Sequence, residues 1–165
     1  VAVDPRAYKH AFANHPAGVA VITAQTPEGP FGLTASSVAS VSLDPAALVF
    51  SVTSSRGSAS KVLGAQRFAV NLLNASQVGI ARSFAVPGAP RFTPDQGWLE
   101  LPGGQLVLPT AHAALLCHSL EQVPVGDSTV VVAAIDDIVV DTPGRPLVYV
   151  NRVFHGLTAD TPLPE

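Results

Sequence analysis

Pro16-Ala-Gly-Val-Ala-Val-Ile-Thr-Ala24 and, beyond a turn at Thr26-Pro-Glu-Gly-Pro30, Gly32-Leu-Thr-Ala-Ser-Ser-Val-Ala-Ser-Val-Ser-Leu-Asp-Pro45 make up the stretch on which the reading of this chain depends. Two apolar runs rich in Val and Ile, joined by a Pro/Gly turn, read as paired strands. The second run is threaded with hydroxyls at Thr34, Ser36, Ser37, Ser40 and Ser42. Small hydroxyl residues let a backbone lie close to a large flat polar ligand and offer it both N–H and O–H donors. The plain alternative is a half-exposed edge strand with ordinary surface hydroxyls.

Outward from this stretch the pattern stays β-rich. Segments 19–24, 31–36, 47–53, 68–73, 113–122, 129–140 and 147–150 are enriched in Val, Ile and Leu and bounded by Pro, Gly, Asp and Asn, which predicts strands. Asp4-Pro5 starts a helix, a capping carboxylate followed by proline at the first helical position; Tyr8, Ala11 and Phe12 form its apolar stripe, and it stops before Pro16. Short helices are expected at 59–65 and 76–84. Residues 86–104 are rich in Pro and Gly and read as a long, mobile surface excursion. Successive strands without a helix of crossover length between them favour an antiparallel barrel with a few short peripheral helices over βαβ units. The 165 residues read as one domain, 1–165.

Composition narrows the function. The chain is 47% hydrophobic and only 13% charged, which implies surface buried in an oligomer, most simply a homodimer. No apolar run approaches the ~20 residues of a membrane-spanning helix. Val1-Ala-Val-Asp4 has neither a basic region nor an apolar signal core, and a single cysteine, Cys117, suits a reducing compartment, so a cytoplasmic location is expected. A net charge of −3, with seven Arg and two Lys scattered along the chain, argues against a nucleic-acid surface.

Among candidate chemical groups, Ser51, Thr53, Ser54, Ser55, Ser58 and Ser60 form a second hydroxyl cluster ahead of the helix expected at 59. A helix N-terminus beside hydroxyls is a seat for phosphate; plain capping by Ser58 is compatible with it. A metal site is not expected, because His112 and His118 lie about 20 Å apart along a strand and His10, His15 and His155 do not cluster. Cys117 lies in the apolar run Ala113-Ala-Leu-Leu-Cys, which reads as a buried structural thiol. There is neither a Gly-x-Ser-x-Gly elbow nor a Gly-x-Gly-x-x-Gly fingerprint after a strand.

The ordered set Pro16-x-Gly18-Val-Ala-Val-Ile-Thr23, Gly32-Leu-Thr-Ala-Ser-Ser37, Ser40-Val-Ser-Leu-Asp-Pro45, Phe68-Ala-Val-Asn-Leu-Leu73, Gln77-x-x-Ile-Ala-Arg-x-Phe84, Gly126-Asp127 and Pro146-Leu-Val-Tyr149 resembles the flavin reductase-like family over roughly residues 8 to 157. The resemblance implies a mainly β, antiparallel Greek-key split β-barrel. It also implies an NAD(P)H-dependent flavin reductase that passes hydride to FMN or FAD, with NADH or NADPH as reductant, and supplies a partner flavin-dependent monooxygenase. Thr34, Ala35, Ser36 and Ser37 would hold the ring and ribityl chain, Ser51, Val52, Thr53, Ser55 and Ser58 the ribityl and phosphate, and Arg82 and Ser83 the phosphate end. A solvated Arg82 is the plain alternative. Pro16, Gly18, Ser128, Asn151, Arg152 and Phe154 would border the nicotinamide; Ser128 stands where the family often has His after Gly-Asp. No catalytic acid or base is implied, because hydride transfer belongs to the cofactors. Two rivals remain open: a split-barrel flavoprotein acting directly on a substrate, in the manner of pyridoxamine-phosphate-oxidase-like or deazaflavin-dependent proteins, and a non-catalytic flavin-binding barrel.

Overall fold

The computed structural model describes residues 2–53, 56–158 and 162–163. Asp4 caps helix α1 (Pro5–Ala13) as expected, its carboxylate accepting from the Arg6 backbone N–H at 2.9 Å. The apolar stripe is present, with the Tyr8 and Phe12 rings 4.7 Å apart, yet no residue of α1 is buried. Its end is tied to the body through the Asn151 N–H, which donates to the Ala13 carbonyl at 2.7 Å.

The remaining elements in chain order are β1 (Ala17–Gly18), β2 (Ala20–Thr26), β3 (Gly29–Ala35), β4 (Ala39–Leu43), β5 (Ala46–Thr53), α2 (Ser58–Gly64), β6 (Arg67–Leu72), α3 (Val78–Ala85), β7 (Leu99–Glu100), β8 (Leu106–Val107), β9 (Ala113–Val125), β10 (Ser128–Asp141), β11 (Leu147–Val150) and β12 (Val153–Gly156). The fold is mainly β with antiparallel sheets and short helices, as the sequence predicts. Seven strands form one sheet in the order β3-β2-β6-β9-β10-β5-β4, with a small β1-β11-β12 sheet beside it. Register shifts along β9–β10 mark bulges that coil this long hairpin. The expected strands appear with ends moved by up to three residues. β4 and β12, like the two-residue β1, β7 and β8, were not predicted as strands; in β4, Ala39, Val41 and Leu43 alternate with Ser40 and Ser42, yet every residue is exposed, so the alternation marks no buried face.

Strand β2 explains its own sequence. Ala20 to Ala24 are all buried, so the strand reads as a continuous apolar run rather than an alternation. Ile22 faces the barrel interior with Leu48, Phe50, Phe68, Val70 and Val131, where the Phe50 and Phe68 rings meet edge-on at 5.5 Å. Val21 faces the other way, into a cluster with Leu73, Ala81, Phe84, Leu108 and Leu147 that seats α3. Each such fully buried side chain contributes ~1.5–3 kcal/mol. The buried Asn71 is satisfied: its Oδ1 accepts from Leu108 N–H at 2.9 Å and its Nδ2 donates to the Val21 carbonyl at 3.2 Å.

The segment 86–104 is not the mobile excursion expected. Phe92 and Trp98 pack on Phe84 of α3, with ring centroids 4.9 and 5.3 Å away, and Thr93 and Gln96 form a reciprocal cap on a single 3-10 turn. Its many prolines and glycines serve turns over this aromatic cluster. Among the described residues no helix is long and apolar enough to cross a membrane.

Candidate functional site

Two adjoining clefts gather the chain's polar side chains. The first, about 1140 Å³, is lined by Phe31 to Ser37 from β3 and its exit, Ser51 to Thr53 from the end of β5, Gly57 to Ala59 at the start of α2, and Phe84, Arg91 and Phe92. It opens where the sheet edge at β3 approaches β5. There the Ser37 Oγ accepts from Ser51 N–H at 2.9 Å and donates to the Ser51 carbonyl at 3.1 Å, latching the two together. Thr34 Oγ1 donates to the Ala81 carbonyl at 2.7 Å and so fixes α3 against β3. Two of the predicted flavin donors are therefore engaged by the fold, whereas no described residue holds the hydroxyl of Ser36, which lines both clefts.

Two arginines that sequence reasoning missed line this cleft, Arg56 and Arg91, and Arg91 is bonded beside the hydroxyls. Its Nη1 donates to the Gly32 carbonyl at 2.9 Å and to Ser58 Oγ at 2.8 Å, its Nε to the Ser83 carbonyl at 3.2 Å and its Nη2 to the Val86 carbonyl at 3.3 Å. The guanidinium lies 5.4 Å over the Phe84 ring. Burial pulls its pKa below the ordinary guanidinium value. All these partners are neutral, and no described carboxylate lies within ion-pairing reach, so the cleft keeps a positive charge open to an anion. The sequence signal for Arg91 was an arginine set among Phe84, Phe92 and Trp98, concealed by the Pro and Gly of the same segment.

Gly32 makes this packing possible. A Cβ there would lie 2.7 Å from Phe84 Cε1 and 3.0 Å from the Ile22 carbonyl, so only a bare backbone lets the ring seat under Arg91. The second cleft, about 540 Å³, shares Thr34, Ser36 and Ala85 with the first and is otherwise lined by Val19, Arg82, Val86, Tyr149 and Arg152 to Phe154. The Arg82 guanidinium lies 5.7 Å over the Phe154 ring, and Tyr149 packs on Phe154 at 4.9 Å.

The predicted sites therefore divide. Thr34, Ala35, Ser36, Ser37, Ser51, Val52, Thr53 and Ser58 come together in the first cleft; Ser55 lies outside the described residues. Arg82 does not join them. It sits in the second cleft with Arg152 and Phe154, because its place on α3 turns it to the opposite side from Arg91. Ser83 Oγ is turned back onto α3, donating to the Gly79 carbonyl at 3.1 Å, and only its own carbonyl meets Arg91. Ser58 is not a cap: α2 begins after Gly57 without a side-chain cap, and the Ser58 hydroxyl is taken by Arg91. Ser128 is parted from Arg152 and Phe154, its Oγ reaching Thr53 Oγ1 at 3.3 Å beside the first cleft. Gly18 lines a separate apolar cavity, and neither Pro16 nor Asn151 lines either cleft.

Cys117 is 1% exposed, and its thiol is pushed up to about 12, first by burial and then by the Asp136 charge, which fits the structural reading. Asp136 pairs with His118 Nδ1 at 2.7 Å. Among the described residues no three metal-ligating side chains converge.

The flavin reductase like domain model matches residues 12–158. The NADH:FMN oxidoreductase of Rhodococcus qingshengii is 33% identical over 128 residues, covering 78% of this chain and 67% of that protein. The reductase component of the FADH(2)-dependent resorcinol hydroxylase of Rhizobium sp. is 32% identical, covering 84% of this chain and 79% of its own. A crystal structure of a flavin reductase domain protein from Arthrobacter sp. FB24 superposes with a TM-score of 0.89 at 27% identity, covering 98% of this chain and 99% of that one.

Proposed function

Because this chain belongs to the flavin reductase-like domain family and is a flavin-reducing enzyme, we propose that it uses NADH to reduce FMN or FAD and passes the reduced flavin to a partner monooxygenase. The observation that carries the assignment of the first cleft is Arg91, a cation with only neutral partners beside Ser58 in a hydroxyl-lined space of flavin size. In this reading the flavin phosphate meets Arg91 and Ser58, Ser36 offers its unengaged hydroxyl to the ring or ribityl chain, and Phe31 and Phe92 supply apolar walls. The nicotinamide dinucleotide takes the second cleft, where Arg82 and Arg152 face its phosphates and Tyr149 and Phe154 its rings. Bound flavin supplies the hydride-accepting chemistry. The chain brings the two ligands into contact where the clefts meet at Thr34, Ser36 and Ala85 and excludes water with Phe84 and Phe92; no side-chain acid or base takes part.

The chain acts as one domain and as a homodimer, a reading supported by its low charge content. The single buried cysteine suits a reducing cytoplasm. Fluorescence titration with FMN, FAD and riboflavin tests the cleft, with FMN expected to quench more tightly than riboflavin because riboflavin lacks the phosphate. Initial rates of NADH and NADPH oxidation with each flavin test the reaction. Absence of quenching by all three flavins would end this reading.

A further inference from the structure

The barrel has a mouth at the end away from the first cleft, and a cavity lies in it. The strand register places it there: Ala20 of β2 stands opposite Leu72 of β6, Leu72 opposite Ala113 at the start of β9, and Leu48 of β5 opposite Ser40 of β4. These rungs lie at one end of the strands, whereas Ser51 to Thr53, at the far end of β5, line the first cleft. The cavity measures about 390 Å³ and shares no lining residue with the first cleft. Its floor is the barrel interior itself, through Ala20, Leu48 and Leu115, which are 1%, 2% and 9% exposed. A barrel mouth of this size is an ordinary place for a small ligand.

The chemistry of the wall selects what could enter. No Lys, Arg, Asp or Glu lines the cavity, so a charged molecule would lose its hydration there and gain no ionic partner. The polar side chains on the wall are the imidazole of His112 and, at the exposed rim, the hydroxyl of Ser40. His112 is fixed through its backbone: its N–H donates to the Leu72 carbonyl at 2.8 Å, and its carbonyl accepts from the Thr142 N–H at 2.9 Å. Its Nδ1 is buried and has no hydrogen-bond partner among the described residues. A buried polar atom left in that state carries a desolvation cost that an arriving donor removes. A phenol hydroxyl, with its pKa near 10, is a stronger donor than an aliphatic alcohol, and the ring that carries it suits an apolar floor.

We propose that this cavity is an effector site for a small neutral phenol, whose ring rests on the Ala20–Leu48–Leu115 floor and whose hydroxyl donates to the imidazole of His112. Val19 carries its occupancy to the second cleft, because Val19 lines both spaces. The Val19 N–H donates to the Leu147 carbonyl at 3.2 Å, and its carbonyl accepts from the Leu73 N–H at 2.9 Å, so it is clamped between β11 and the residue that follows β6. A packed wall of this kind passes a displacement on instead of absorbing it. The effector role rests on the nicotinamide reading of the second cleft; the binding of the phenol does not.

Calorimetric titration of the full chain with phenol and with toluene, repeated in excess FMN, tests the site, since binding that survives FMN lies outside the first cleft. Phenol should bind about tenfold or more tightly than toluene, which has no donor. His112→Leu keeps the bulk and removes the unpaired nitrogen, so it should fold as the wild type does, by far-UV circular dichroism, retain toluene binding and lose the margin in favour of phenol. Ala39 lines the rim and is exposed, so Ala39→Trp should obstruct the mouth without disturbing the core and weaken both ligands. Phenol that binds no better than toluene, or that binds either variant as it binds the wild type, would overturn the site. In flavin reduction, saturating phenol should shift KM for NADH by about fivefold in the wild type and leave His112→Leu unmoved at the same concentration. An unmoved KM in a wild type that binds phenol would overturn the effector role. A chain that binds phenol as described yet reduces no flavin refutes the functional reading and leaves the ligand of the cavity standing.

Discussion

Replacing Arg91 by Met keeps an apolar stem of similar length and removes every donor. Four hydrogen bonds are lost, to the Gly32, Ser83 and Val86 carbonyls and to Ser58 Oγ, together with the stacking on Phe84. At ~0.5–1.5 kcal/mol net for each bond, discounted because water can reach part of the group, destabilisation should be about 2–4 kcal/mol in urea unfolding. The same change removes the positive charge from the cleft, so FMN affinity should fall on the order of 10- to 100-fold while riboflavin, which has no phosphate, should lose much less. The ratio of FMN to riboflavin affinity therefore separates the charge effect from general loosening of the fold. Arg91→Lys retains the charge but cannot span the carbonyls of β3 and α3 together with the Ser58 hydroxyl; it should keep part of the FMN preference while losing most of the stability. An Arg91→Met protein with a wild-type urea midpoint and a wild-type FMN-to-riboflavin ratio would refute the reasoning.

The two neighbouring serines should behave differently. Ser36→Ala should weaken flavin binding with little change in stability, whereas Ser37→Ala loses both bonds to Ser51 and should cost ~1–3 kcal/mol in unfolding; equal effects in both assays would show that the hydroxyls are not divided as the geometry implies. Gly32→Ala should force Phe84 from its seat, at a cost of roughly 1–3 kcal/mol, and lower flavin affinity with it; a wild-type melting temperature would show that the ring yields freely. Ser128→His should leave KM for NADH unchanged, because Ser128 Oγ reaches Thr53 beside the first cleft and is parted from Arg152 and Phe154; a lowered KM for NADH would return Ser128 to the nicotinamide border. The folded Cys117 thiol holds its proton to about 12 while the unfolded one releases it near 9.0, so wild-type stability should fall as pH rises from 9.0 toward 12. Cys117→Ala should lack that component of the decline, and identical pH profiles for the two proteins would count against the buried thiol.

What was legible in the sequence follows from how local each signal is. Asp4 and Pro5 announce α1 because capping is a matter of adjacent residues, and β2 and β6 declare themselves through uninterrupted burial. The hydroxyl run after β3 was legible as a site, but the sharing of work within it was not: Thr34 and Ser37 bond to Ala81 and Ser51, partners 47 and 14 residues away. Arg82 and Arg91 are nine positions apart on two sides of one aromatic cluster, and only the folded chain shows which side holds the hydroxyls. The stripe on α1 was read correctly as apolar, yet its periodicity carries no information about which molecule covers it.

The two clefts meet along Thr34, Ser36 and Ala85 and are otherwise lined by different residues. With flavin in one and nicotinamide in the other, neither ligand has to leave before its companion enters. Turnover would then run through a ternary complex, and double-reciprocal plots of rate against NADH at several fixed flavin concentrations would converge to a point instead of running parallel. Dead-end analogues of the nicotinamide would compete with NADH but not with flavin. The order of arrival would be set by the free concentrations of the two ligands together with their association rates, so a cell that changes its free flavin level would change which ligand binds first without changing the enzyme.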